Sequence, residues 1–284
     1  MWLKICLITF ILFLNAAEYG IAQQISYRGG LYYSSGTYFF DEITRSFQVS
    51  NGLTISYNKL TVTATFPFIV QSSPWVSYSA GGGIPTGGTQ SREVRRAGFG
   101  NHMGTGSGRN SRLTMKDTTS YRHSGFSDPT LMSGYRIFSG HQGKTLLFVN
   151  ANLKIPISGP SVGFGTGAWD TGLGLSASQR VGTSWMVFAD VMHWWMGDMD
   201  ELPLNNTLAY GVGIGKIFTG TKWIINGNYS GFTSIVENYP SPKNISLGTG
   251  YRHSDRLFMN TTAGMGLSET SPDFSFGLGW SLQI

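Results

Sequence analysis

The amino-acid sequence predicts an all-β protein: a transmembrane, antiparallel, up-and-down β-barrel of about twelve strands that follows an N-terminal signal peptide. Three observations support this prediction: a composition poor in charge, a series of alternating segments, and connections that are sorted by length. Charged residues make up 12% of the chain, while 39 residues are glycine and 14% are aromatic. Ordinary soluble proteins contain about 25% charged residues. Because hydrocarbon tolerates almost no charge, this composition favours a sheet with one face in lipid.

The end of the chain shows the alternation most clearly. Residues 273–284, DFSFGLGWSLQI, carry an aromatic or aliphatic side chain at every second position and small or polar residues between them. Successive side chains of a strand point to opposite faces, so this pattern predicts one apolar and one polar face. The alternation continues to Ile284. A final strand that pairs with the first strand and closes a barrel requires this continuity.

Segments of this kind recur along the chain, each about 10–13 residues long, and about 9–11 residues of tilted strand cross a bilayer. They are residues 27–40, 46–57, 60–71, 125–138, 145–156, 168–180, 185–196, 207–218, 223–235, 244–252, 258–268 and 273–284. Short connections, such as HSDR at residues 253–256, fall on the side of the C-terminus, and longer ones fall on the opposite side. This sorting is typical of bacterial outer-membrane barrels.

The first residues predict export. Lys4 precedes an apolar run at residues 5–14, and Gly20 and Ala22 are small residues in front of a cleavage site after Ala22. This is the pattern of a secretory signal peptide over residues 1–22. Cleavage leaves residues 23–284, or 262 residues (284 minus 22), without the single cysteine, Cys6. We therefore predict a protein of the bacterial outer membrane that uses neither disulfides nor thiol chemistry.

Residues 72–124 interrupt the regular spacing and fall on the side of the longer loops. Seven cations and two anions (Glu93 and Asp117) give this segment a charge of +5, which equals the formal net charge of the whole chain. The cations are Arg92, Arg95, Arg96, Arg109, Arg112, Lys116 and Arg122. Three interpretations remain open: a solvated loop, contact with anionic lipopolysaccharide, or a loop folded into the lumen as a constriction or lid. A position outside the cell argues against nucleic acid as a partner.

Polar and charged residues occupy the strand face opposite the larger apolar set. A cation in the middle of the lipid face costs about 2–4 kcal/mol, so we predict that these residues line the lumen. They are Asp128, Arg136, Asn150, Asn152, Lys154, Asp190, Asn226, Asn228, Arg252 and Asn260. The sequence leaves open whether they line a solute path or form a salt-bridged network that fills a narrow barrel. Met186, Phe188, Met192 and Trp194 share the parity of Asp190, which predicts a partly apolar interior suited to hydrophobic solutes.

Aromatic residues cluster near both ends of the predicted strands, as in the interfacial girdles of membrane barrels. Near the short turns lie Tyr57, Phe138, Trp185, Phe218, Trp223 and Tyr251. Near the longer loops lie Phe66, Trp169, Trp194, Trp195, Tyr210, Phe232 and Phe274. We predict that these side chains mark the two membrane–water interfaces.

The chain offers little for catalysis. A hydrolase needs a nucleophile, a base within reach and a group that orients the base, and the available histidines are His102, His123, His141, His193 and His253. No H-x-x-x-H pair occurs, no cysteine follows the signal peptide, and no glycine-rich phosphate loop occurs. We therefore predict neither an enzyme nor a metal or other cofactor. A barrel hydrolase of lipid or peptide and a structural or adhesive barrel remain alternatives.

Three segments follow one another in a recognisable order: GFSDPTLMSGYRIF (residues 125–138), VNANLKIPISG (149–159) and GFGTGAWDTGLGLSASQRVG (163–182). They resemble the outer-membrane "MetA-pathway of phenol degradation" family of transporters over about residues 125–284. Two features depart from that family: KIPIS replaces the usual Thr-Gly after proline, and the basic segment is long. The resemblance implies passage of small hydrophobic or aromatic molecules through the outer membrane, and it implies no particular substrate-binding residues.

Overall fold

The computed structural model describes residues 24–40, 42–79, 82–86, 122–158, 164–199 and 202–284. The predicted signal peptide lies outside these residues, as do all the cations of the basic segment except Arg122, which is exposed. Among the residues described, no helix is long and apolar enough to cross a membrane.

The described chain is almost entirely β-structure. Its strands are β1 (Gln24–Gly36), β2 (Thr44–Tyr57), β3 (Leu60–Gln71), β4 (Val76–Ser79), β5 (Gly82–Pro85), β6 (His123–Phe126), β7 (Thr130–Ser139), β8 (Thr145–Lys154), β9 (Asp170–Val181), β10 (Trp185–Trp195), β11 (Thr207–Ile217), β12 (Trp223–Phe232), β13 (Lys243–Arg252), β14 (Leu257–Gly266) and β15 (Phe274–Gln283). A 3-10 turn, His141–Gly143, joins β7 to β8.

The strands close into an antiparallel barrel. Each wall strand pairs with the wall strands before and after it, and β1 pairs with both β2 and β15, which completes the ring. Strands β6 and β7 both pair with β3 and together form one wall strand, so the wall has twelve strands. The hairpin of β4 and β5 stands apart from the wall. The predicted twelve-stranded antiparallel barrel is confirmed.

The connections differ in length at the two ends of the barrel. At one end, the short-turn end, residues 58–59, 140–144, 182–184, 218–222 and 253–256 join the strands. At the other, the long-loop end, the connections are residues 37–43, 72–122, 155–169, 196–206, 233–242 and 267–273. Positive φ values at Asn58, Gly182 and Gly220 allow the tight reversals of the short-turn end.

The register of the pairs assigns each side chain to one of two faces. The outer face carries large apolar side chains that the protein leaves uncovered; Leu247, for example, is 67% exposed and Val212 is 54% exposed. The inner face carries mostly small and polar residues, and near the long-loop end it includes the buried Ser46 and Gln71. An apolar outside and a polar inside are the arrangement that a lipid environment requires.

The first strand ends earlier than the sequence predicts. The alternation of aromatic residues extends to Phe40, but β1 ends at Gly36. Tyr38 and Phe39 have positive φ values of 49° and 75° and form a turn. Tyr38 and Phe40 alternate because both pack into a buried cluster with Trp75.

The predicted strand over residues 125–138 is interrupted. Residues 127–129 leave the ladder between β6 and β7, and the amide of Ser127 donates to the carbonyl of Pro67 at 2.9 Å. Because Pro67 and Pro129 lack an N–H, they cannot complete the regular ladder at this point. The interruption turns Asp128 away from the wall strand and into a buried position.

Two of the predicted girdle residues face the lumen instead. Trp194 pairs with Gly172 and Thr207 on the inner face, and Phe232 packs against the same buried cluster as Trp194. The prediction was wrong for both, because alternation alone does not reveal that a buried cluster forms inside the mouth of the barrel. Other aromatic residues do lie exposed on the outer face, including Trp185 and Trp223 at the short-turn end and Trp195 and Phe274 at the long-loop end.

Candidate functional site

The lumen is the concave surface to which the sequence-predicted site residues belong. The register places all but one of them on the inner face: Arg136, Asn150, Asn152, Lys154, Asp190, Asn226, Asn228, Arg252 and Asn260. Asp128 lies between β6 and β7 and points to Lys154. The ten predicted residues are spread over many strands and do not converge on one point. The arrangement therefore resembles the lining of a passage more than a catalytic centre.

The lining is chemically two-sided. Strands β7, β8, β10 and β12 contribute apolar inner-face side chains, here named the apolar strip: Met132, Phe148, Met186, Phe188, Met192 and Phe232. The wall across the lumen, formed by β15, β1, β2 and β3, is lined mainly by serine, threonine and glycine, such as Ser50, Thr54 and Thr63. A solute inside the barrel thus meets, on one side, apolar side chains interspersed with polar ones such as Asn150, Asp190 and Asn228, and mainly hydroxyl groups on the other.

Inner-face glycines give neighbouring side chains room to lie along the wall. A Cβ atom at Gly279 would come within 2.5 Å of Oδ1 of Asn260, and one at Gly211 within 2.6 Å of Oδ1 of Asp190. These separations are shorter than van der Waals contact, so the amide and the carboxylate lie flat over the glycines. The centre of the lumen is therefore wider than it would be if residues with a Cβ atom replaced these glycines.

A buried ionic cluster lies at the long-loop end. Lys154 Nζ lies 3.3 Å from Oδ2 of Asp128 and 3.0 Å from Oδ2 of Asp170, and all three side chains are almost completely buried. Lys154 also donates to the hydroxyl of Thr166. Among the described residues, Oδ2 of Asp128 has no hydrogen bond that supplements this ion pair.

The two carboxylates of the cluster also hold loop backbone. Oδ1 of Asp128 accepts hydrogen bonds from the amides of Ile157 at 2.9 Å and Ser158 at 2.8 Å. Oδ1 of Asp170 accepts one from the amide of Gly197 at 3.0 Å. The cluster therefore fixes two loops at the mouth, and Asp128 and Lys154 are engaged in this network, away from the open part of the lumen.

The hairpin of β4 and β5, here named the mouth hairpin, is anchored to β2 and β3 on one side. Thr44 Oγ1 and Ser73 Oγ lie 2.5 Å apart. The side-chain amide of Gln71 donates to the carbonyl of Val76 at 2.8 Å. The hydroxyl of Tyr78 donates to Oγ of Ser46, an inner-face residue.

The same hairpin reaches the far side of the barrel. Ile84, which is 1% exposed, packs in one buried cluster with Trp194, Met196 and Ile235. Trp194 belongs to β10, and β10 lies five strands from β2 in the ring of twelve. A hairpin that contacts both strands spans the mouth.

Aromatic side chains pack together on the anchored side of the hairpin. Trp75 is fully buried against Phe40, with ring centroids 5.8 Å apart, and its indole N–H donates to Oε2 of Glu42 at 3.1 Å. Burial raises the pKa of Tyr78 to about 12 and raises the pKa of Tyr38 further. Both phenols are therefore neutral at physiological pH and serve as hydrogen-bond donors.

Sequence reasoning missed the mouth hairpin as an element. It considered a lumen-folded loop only as one of three interpretations for residues 72–124. A signal was available, since VSYSAGGGIP alternates on both sides of a glycine turn. It also missed Arg28 and Arg180, which share the inner face with the predicted residues.

The described histidines do not gather at a site. His141 lies in a short turn and His253 in another, while His193 lies on the outer face with its ring 4.6 Å from that of Trp195. His123 belongs to β6 at the long-loop end, and His102 lies outside the described residues. Within the described part of the chain, no group of three or more potential metal ligands occurs.

Solved barrels share this fold. The crystal structure of an outer membrane channel from Pseudomonas putida F1 matches with a TM-score of 0.64 and 13% identity, over 93% of this chain and 96% of that one. The NanC porin matches with a TM-score of 0.51 and 8% identity, over 92% of this chain and 100% of the porin. Neither a protein-family model nor a curated protein sequence matches the chain. The resemblance to the phenol-degradation family therefore stays a prediction.

Proposed function

We propose that this protein is an outer-membrane channel through which small hydrophobic or aromatic molecules diffuse without an energy source. The observation that carries the proposal is the two-sided lumen of a closed barrel, with the apolar strip facing a wall of hydroxyl groups. A molecule that combines an apolar body with polar groups can contact both surfaces at once. In water alone, its apolar part would lack this favourable contact.

Several features agree with a passage and with an outer-membrane location. The outer face is apolar, as lipid requires, and inner-face glycines keep side chains against the wall. The two solved barrels of the same fold are named as a channel and a porin. The resemblance to a transporter family also supports the proposal.

The mouth hairpin limits the size of the solute. Because it spans the barrel between β2 and β10, solutes pass beside it. Small molecules are therefore the appropriate class. At the same end, the basic residues of segment 72–124 are proposed to contact the anionic groups of lipopolysaccharide.

Liposome swelling tests the proposal. We expect proteoliposomes to swell in phenyl glucoside, which is aromatic and crosses lipid poorly, and to swell more slowly in sucrose. A folded barrel that admits neither solute would contradict the channel. Hydrolysis of phospholipid or peptide by the purified protein in detergent would instead support the barrel-hydrolase alternative.

A further inference from the structure

Four arginines share the inner face. Arg28 on β1 pairs with Ser281, Arg136 on β7 with Phe148, Arg180 on β9 with Met186, and Arg252 on β13 with Phe258. In each case the register places the guanidinium-bearing side chain on the lumen side. These four residues are here named the arginine ring.

The arginine ring occupies the half of the lumen nearer the short-turn end. Arg252 is the last residue of β13, and Arg180 is next to the last residue of β9. Arg136 is the fourth residue from the end of β7, and Arg28 is the fifth residue of β1. Since β7, β9, β13 and β1 are distributed around the ring, these cations surround the passage.

Within the described part of the chain, the arginine ring is not neutralised. The ion pairs of Lys154 with Asp128 and Asp170 lie at the other end of the barrel. Nε of Arg136 is buried and lacks a hydrogen-bond partner among the described residues. Arg28, Arg180 and Arg252 lie on the inner face and are exposed.

The surrounding charge reinforces the ring. The adjacent short turns carry four further exposed cations, Lys59, Lys144, Lys222 and Arg256, and one acid, Asp255. The other described acids lie at the long-loop end, except Asp190, which is midway along β10. A positively charged stretch of a passage between low-dielectric walls concentrates anions and repels cations.

Resting on the channel function proposed above, we propose that Arg28, Arg136, Arg180 and Arg252 form an anion-selective filter whose preferred solutes are amphipathic carboxylates. The apolar body of such a solute contacts the apolar strip, and its carboxylate passes to the arginines. Guanidinium groups suit this task because they remain charged and bind carboxylates through two parallel hydrogen bonds.

Reversal potentials in planar bilayers test the filter. Under a tenfold KCl gradient, the wild-type protein should favour chloride, and a variant with all four arginines replaced by glutamine should lose this preference several-fold. The matched control is K216Q, because Lys216 lies at the same end but on the outer face, where its Nζ is 5.1 Å from the centre of the Trp185 ring. K216Q should keep the selectivity of the wild type.

Organic ions of similar size and opposite charge test the solute class. Benzoate should carry more current than benzylammonium through the wild type, and the quadruple variant should lose this difference. If the quadruple variant does not fold, the single variants R180Q and R252Q, at strand ends, should each lower the preference for benzoate. Cation selectivity of the wild type, or selectivity unchanged by these variants, would overturn the filter and leave the channel intact. A folded barrel without any conductance would overturn both proposals.

Discussion

At the scale of single residues, glycines on the inner wall decide how far neighbouring side chains reach into the lumen. The amide of Asn260 lies over Gly279, where a Cβ atom would be 2.5 Å from its Oδ1. The three atoms nearest to this Cβ belong to the Asn260 side chain, which can move. A substitution at Gly279 therefore displaces the amide toward the lumen without disturbing the backbone.

We expect Gly279→Ala to lower single-channel conductance and to leave the barrel folded, because the displaced amide narrows the passage. The matched control is Gly227→Ala on the outer face, where a Cβ atom would lie an ordinary 3.5 Å from Leu247. Conductance in planar bilayers measures both effects. Equal conductance for the two variants would show that Asn260 does not limit the passage.

The buried cluster around Lys154 makes a different prediction, one about stability. Lys154→Met leaves Asp128 and Asp170 buried without their cation, and breaking a buried ion pair in this way costs about 3–5 kcal/mol. We expect the free energy of unfolding, measured by urea titration in detergent micelles, to fall by about this amount. Replacing both aspartates by asparagine in the same variant should recover much of the loss. Unchanged stability of Lys154→Met would argue against a structural role for the cluster.

At the scale of elements, the mouth hairpin is the feature that separates this barrel from an open tube. Its position rests on contacts with opposite walls, through Ser46 on β2 and Trp194 on β10. The anchor between Thr44 and Ser73 is close enough to replace by a covalent bond.

We expect the double variant T44C/S73C to form a disulfide after export, because the two hydroxyl oxygens lie 2.5 Å apart and an S–S bond measures about 2.0 Å. The positive control is T54C/T63C, which replaces a hydroxyl pair 2.9 Å apart between β2 and β3 of the wall. Alkylation of free thiols followed by mass spectrometry reports both bonds. A control pair that oxidises beside a 44–73 pair that stays reduced would place Ser73, and with it the start of the segment that leads into the hairpin, away from β2.

The wall strands were predictable because their signals are local. The predicted limits of β3, residues 60–71, agree with the structure because the turn at Asn58 fixes one end and the apolar alternation stops at the other. The end of β1 was not predictable in this way. The aromatic alternation through Phe40 reflects packing against Trp75, which is 35 residues away in the sequence (75 minus 40).

At the scale of the whole molecule, the sequence predicts which residues face inward but not what they meet there. Parity placed Asp128 and Lys154 among the lumen residues, yet their ion pair depends on the interruption between β6 and β7. Likewise, the burial of Trp194 depends on Ile84 from a distant hairpin. Contacts across the lumen join strands that are far apart in the chain, so no local pattern reports them.

The channel proposed above conducts small solutes past the mouth hairpin. The most direct test is the single-channel current of the purified protein in a planar bilayer, compared with a variant whose residues 76–85 are replaced by a short glycine–serine linker. We predict small discrete current steps for the intact protein and larger steps for the variant. Folded proteins that remain electrically silent in both forms would contradict the proposed channel.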